Sequence, residues 1–137
     1  MSSFADILVT QQSKGSTKLE KISKIINWKR LGTKLDLIIR RGKMGRPPYP
    51  SLTLFKVLVL QRLYDLSDPQ MEEMLYDRIS FRKFIGLTIQ DNTPDETTFV
   101  EFRKRLRKHG HILTLFDKTI EILKNKGVIL EQGTCVD

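Results

Sequence analysis

The sequence predicts a mostly α-helical fold, and three observations support that expectation. Apolar residues recur at i, i+3, i+4 and i+7 spacing in one segment after another. Capping side chains and prolines open these segments, and glycines close them. Only residues 128–137 read as a strand. At 137 residues and 39% hydrophobic, the chain is long enough for one compact core and too short for two full domains.

Leu19, Ile22, Ile25 and Ile26 form the first apolar stripe, which predicts a helix over residues 17–28 with Lys18, Lys21 and Lys24 turned away and Trp28 anchoring its end. Leu31, Leu35, Ile38 and Ile39 repeat the pattern in a second helix. Residues 40–50 then hold three prolines and two glycines, which cannot continue a helix or a sheet ladder, so this stretch is expected to be an exposed basic linker. From Ser51 the chain is apolar on nearly every side as far as Tyr64, the pattern of a helix buried at the centre of the domain.

Ser67-Asp68-Pro69 is a strong helix start, with a capping side chain, proline in the first turn and Glu72 and Glu73 close to the positive end of the helix dipole. Met71, Met74 and Leu75 are expected to face inward from it. A short helical element over 79–85 ends at Gly86, and residues 88–92 form a polar loop. Thr93-Pro94-Asp95-Glu96 reads as a capping box opening a helix over 94–108, which buries Phe99, Phe102 and Leu106. The last helix, over 112–126, buries Ile112, Leu115, Phe116, Ile120 and Leu123 and stops at Gly127.

Lys and Arg number 24 against 16 Asp and Glu, giving +8 and a pI near 9.7, which points to a polyanionic partner rather than a small acidic substrate. The excess is uneven. Residues 51–80 hold three basic against five acidic side chains, whereas residues 31–50 hold five against one and residues 81–110 seven against four. Basic flanks around an acidic helical centre are expected if the centre packs or dimerises while the flanks meet phosphate. Cys135 is the only cysteine, which excludes an internal disulfide and a Cys-based zinc site within one chain. No apolar run reaches the roughly 20 residues of a membrane span, and the first ten residues lack a secretory pattern, so a cytoplasmic chain is expected. His109-Gly110-His111 has no carboxylate or thiol partners nearby in sequence, and no glycine-rich phosphate loop or Ser-His-Asp spacing appears, so a self-contained hydrolase or kinase is not expected.

The helix from Ser67, the 79–85 element and the helix over 94–108 follow the order of a helix-turn-helix reader with an enlarged turn. Its second helix presents Thr97, Thr98, Glu101, Lys104, Arg105 and Lys108 outward. Threonine hydroxyls and methyls suit base edges, Glu101 could accept from cytosine, and Lys104 or Arg105 could reach guanine or phosphate. Arg40, Arg41, Lys43 and Arg46 lie in the proline-broken stretch, where an extended arm could enter a narrow minor groove. Arg82 and Lys83 are expected to be phosphate contacts or simple surface charges rather than base readers.

Gly45-Arg46-Pro47-Pro48-Tyr49-Pro50, Leu66-Ser67-Asp68, the run from Asp77 to Leu87, Pro94-Asp95-Glu96-Thr97-Thr98-Phe99 with Phe102-Arg103, and Gly133-Thr134-Cys135-Val136-Asp137 occur in that order over residues 20–137. In this combination the chain resembles the N-terminal half of transposases of the insertion-sequence-five family. The resemblance implies a helical domain over 1–127 that binds the terminal inverted repeats of double-stranded DNA. It also implies that residues 128–137 are the first strand of an RNase H-like catalytic domain, with Asp137 as its first acidic residue. In a full-length member that carboxylate would be a Mg²⁺ ligand together with a second aspartate and a later glutamate. Two-metal phosphoryl transfer needs several fixed oxygen ligands, so one carboxylate makes no complete metal site and this chain alone is expected to be catalytically incomplete and to hold no cofactor. Other roles compatible with these features are a stand-alone repressor occupying the repeats, a dominant-negative partner of a full-length transposase, and a nuclease completed by another chain's carboxylates; a homo-oligomer is a further possible partner.

Overall fold

A computed structural model describes residues 17–42 and 48–127. Seven helices occupy them: α1 (Thr17–Ile25), α2 (Trp28–Arg41), α3 (Ser51–Tyr64), α4 (Asp68–Asp77), α5 (Ile79–Ile85), α6 (Glu96–Lys108) and α7 (Gly110–Asn125). No strand occurs among the described residues, and the strand expected over 128–137 lies outside them. The mostly α-helical fold class is therefore observed.

The helix expected at the centre is there. Along α3, Leu54, Phe55, Val57, Leu58, Val59, Leu60 and Leu63 are all buried, and the helix packs against α2, α4, α5, α6 and α7. Burying each such side chain contributes about 1.5–3 kcal/mol before the entropy of ordering it is subtracted. Polar groups on α3 serve the same packing. Thr53 Oγ1 donates to the Ile85 carbonyl at 2.9 Å, and Lys56 Nζ donates to the Phe84 carbonyl at 2.9 Å. These two side chains satisfy carbonyls at the end of α5 that no further helical turn could reach. Lys56 also lies 5.1 Å from the Trp28 ring centre and 5.2 Å from that of Phe84, and its burial lowers its pKa.

Three helix boundaries differ from the sequence expectation. The predicted helix over 17–28 is two helices, because Asn27 accepts a hydrogen bond from the Arg30 N–H and caps a new start. Trp28 thus begins α2 instead of ending α1, and its ring meets Phe84 edge-on at 5.5 Å. Arg40 and Arg41 belong to the last turn of α2, not to the linker. The prolines act only from residue 47 onward, Gly42 closes the helix through its N–H to the Ile38 carbonyl, and cations suit the negative end of a helix dipole. At the third boundary, α6 starts at Glu96 with Asp95 as its cap, leaving Pro94 buried just before it. Asp95 Oδ1 accepts from both the Thr98 N–H and the Thr98 hydroxyl, each at 2.9 Å, so this carboxylate takes the capping role expected of Thr93. A reciprocal capping box does exist, two helices earlier, at the start of α4. Gln70 donates its N–H to Ser67 Oγ, and its side chain accepts from the Ser67 N–H.

Glycines end two helices as expected, Gly86 with φ of 88° after α5 and Gly127 with φ of 74° after α7. Gly32 has a different reason for being glycine. A Cβ there would lie 3.1 Å from Leu52 Cδ2, which marks the close crossing of α2 over α3.

Candidate nucleic-acid interface

The candidate reading helix, α6, is fixed on its inner side by Phe99, Phe102 and Leu106, all buried. Polar contacts from the start and the middle of α4 tie it to that helix. Arg103 Nη1 and Nη2 donate to Asp68 Oδ2 and Oδ1 at 3.1 and 2.7 Å, a bidentate pair. Arg103 Nη2 also donates to Gln61 Oε1 at 3.0 Å, and Gln61 Nε2 donates to Asp68 Oδ1 at 2.7 Å. One partly buried network thus joins α3, α4 and α6. The hydrogen bond from Arg103 holds the Asp68 carboxyl below its ordinary range, with burial opposing and Gln61 and the Arg103 charge adding to it. Further along α4, Glu72 Oε1 accepts from the Glu96 N–H at 3.0 Å and satisfies a donor in the first turn of α6.

With the inner face fixed, Thr97, Thr98, Glu101 and Arg105 come together on the outer side. They line a groove of about 230 Å³ with Pro48, Leu54 and Phe102. Pro48, one of the prolines that break the chain between α2 and α3, lies in this groove beside α6. Tyr49 next to it is half-buried, and its pKa is raised by burial and by the nearby charge of Asp95. Thr97 and Glu101 are exposed, whereas Thr98 is half-buried and its hydroxyl is engaged in the Asp95 cap. Lys104 is exposed and pairs with Glu101 at 3.4 Å, a surface contact of small energetic worth.

The remaining expected residues are elsewhere. Arg40 and Arg41 are exposed at the end of α2, and Lys108 is exposed at the end of α6. Arg82 is a clamp within the fold: its Nε donates to the Leu75 carbonyl and its Nη1 to the Ile89 carbonyl at 3.0 Å, while Lys83 beside it is exposed. Lys43, Arg46 and Asp137 lie outside the described residues. Asp68 and Arg103 stand in the sequence only as parts of local motifs, and Gln61 in none. Nothing local pairs an arginine in a buried phase of α6 with an aspartate in the first turn of α4, residues 35 positions apart in the chain.

Among the described residues no group of three His, Cys, Asp or Glu side chains could hold a metal ion. No described helix is long and apolar enough to cross a membrane.

No solved structure matches this chain. A family model described as a transposase domain (DUF772) matches residues 7–105, a span that takes in the basic stretch, the α4–α5 pair and most of α6. The chain therefore belongs to the DUF772 transposase-domain family.

Proposed function

We propose that this chain is the DNA-binding part of an insertion-sequence transposase, and that it recognises the terminal inverted repeats of its element. In this reading α4, α5 and α6 act as an enlarged helix-turn-helix. Thr97, Glu101 and Arg105 meet base edges in the major groove, while the basic residues from Arg40 to Arg46 follow the flanking backbone or minor groove. The observation that carries the reading is the groove in which Thr97, Thr98, Glu101 and Arg105 of α6 come together beside Pro48. The net charge of +8 supports a polyanionic partner. Asp137 is proposed, by resemblance, as the first carboxylate of the Mg²⁺ site in a full-length enzyme.

The test is a mobility-shift titration of the full chain with inverted-repeat duplex against a duplex of scrambled sequence. Tighter binding to the repeat, lost in Arg105→Ala, is the expected result. Equal affinity for both duplexes in the parent chain would exclude sequence-specific recognition.

A further inference from the structure

A second cationic surface lies at the other end of α6. Where α2, α6 and α7 meet, they enclose a groove of about 690 Å³. Lys34 and Arg41 reach it from α2, Lys108 from the last turn of α6 and Lys118 from α7, with His109 and His111 at the corner between α6 and α7. No Asp or Glu lines it. All four Lys and Arg side chains are exposed, and none pairs with a carboxylate among the described residues.

Such a concentration of one charge is unfavourable for the folded chain by itself. Cations gathered from three helices around one groove repel one another, and no acidic side chain lines the groove to offset them. Arg41 gains from the C-terminal dipole of α2, but Lys34 lies mid-helix and Lys118 lies midway along α7, so neither has that reason to be basic. A polyanion laid in the groove removes the repulsion from all four.

The position of the groove specifies which polyanion. Lys108 follows Thr97 by eleven positions on one helix, about 16 Å along its axis. The major groove is about 12 Å wide, roughly the rise from Thr97 to Arg105, so the end of the helix beyond Arg105 reaches the sugar-phosphate wall. We propose that the α2–α6–α7 groove binds the phosphodiester backbone of the DNA strand that borders the major groove entered by α6. This rests on the DNA-binding reading above and adds Lys34, Lys118 and His111 to the interface. Contacts of this kind fix the register of α6 on the duplex and have no base preference of their own.

The variant that tests it is Lys34→Gln/Lys118→Gln in the full chain, since neither residue is on the outer face of α6 or in the basic stretch. Fluorescence anisotropy would follow binding to inverted-repeat and scrambled duplexes between 50 and 300 mM salt. With about 0.9 lost from the salt slope per phosphate contact, the slope of log K against log salt should become shallower by roughly 1.8, and affinity for both duplexes should fall by the same factor. Lys118→Gln alone should give about half that change, which checks that the double variant has not lost its fold. An unchanged slope, or a loss confined to the repeat sequence, overturns the groove assignment. Arg105→Ala is measured in parallel. If it leaves sequence preference intact while the double variant still flattens the slope, the α6 reading fails and the groove stands; the opposite pair of results withdraws the groove alone.

Discussion

Arg103 holds both carboxylate oxygens of Asp68, at 2.7 and 3.1 Å, and so ties the middle of α6 to the first turn of α4. Both side chains are under a third exposed, and Gln61 of α3 completes the set with hydrogen bonds to each. Replacing Arg103 with methionine leaves the carboxylate and the Gln61 amide with unmet hydrogen-bonding capacity, which should cost about 1–3 kcal/mol in urea unfolding. A double-mutant cycle with Asp68→Asn should give a coupling of about 0.5–3 kcal/mol. Additive effects in that cycle would mean the pair is incidental to the fold.

The same carboxylate sets a direction for pH. Asp68 titrates below its ordinary value of 3.8 in the folded chain, chiefly through the Arg103 hydrogen bond. A depressed folded pKa means that the contribution is fully present above the unfolded value and is lost as pH falls through the folded one. The stability gap between the parent chain and Asp68→Asn should hold steady from neutral pH down to about 4 and close below it. A gap that closes between pH 7 and 5 would place the effect on another group.

Gly32 should tolerate alanine but not valine. Its Cβ contact would be the far end of the Leu52 side chain, which can shift by a few tenths of an ångström, and alanine gains about 1 kcal/mol of helix propensity over glycine. Valine adds two methyls against the same crossing and should cost about 1–3 kcal/mol. Trp28, the single tryptophan and buried at the start of α2 beside this crossing, reports the unfolding by fluorescence. Equal stability of the two variants would show that α2 and α3 are less closely packed than described.

Binding to duplex DNA should be strongly salt-dependent. If about six to eight phosphates are contacted, log K should fall against log salt with a slope of roughly −5 to −7. Arg46→Ala should weaken binding to A·T-rich duplexes alike, whereas Arg105→Ala should relax preference at particular base pairs by about 1–3 kcal/mol. A parent slope near zero would remove nucleic acid as the partner.

Much of the fold could be read from local patterns, because α3 is apolar all round and Ser67, Gly86 and Gly127 are strong punctuation. What local patterns missed depended on competition or on distance. The apolar stripe runs through Ile25, Ile26 and Trp28 without a gap, so the break at Asn27 shows only in its side chain closing on the Arg30 N–H. Thr93 and Asp95 are both plausible caps, and the carboxylate prevailed as the stronger acceptor. Arg103 sits in a run with Lys104, Arg105, Arg107 and Lys108, and only the phase of α6 against a distant aspartate turns it inward. Arg82 is the same case, an expected surface cation aimed instead at the carbonyls of Leu75 and Ile89. The outward face of α6 was readable because it is the complement of the buried stripe, but the nearness of Pro48 to it was not.

The covering of α3 from both directions of the chain bears on how this unit could be handled or exchanged. Phe55 meets Phe116 of α7 at 5.6 Å between ring centres, while its helix is flanked on other sides by α2, α4, α5 and α6. There is no seam at which α6 could be excised. A fragment stopping within α6 would bare the side of α3 that α7 covers, and proteases should therefore cut this domain in an all-or-none manner, with no trimmed core persisting. For the same reason, exchanging only the outward residues of α6 between relatives is a change of surface, whereas exchanging the whole helix also replaces Phe99, Phe102, Arg103 and Leu106 and disturbs the packing against α3 and α4.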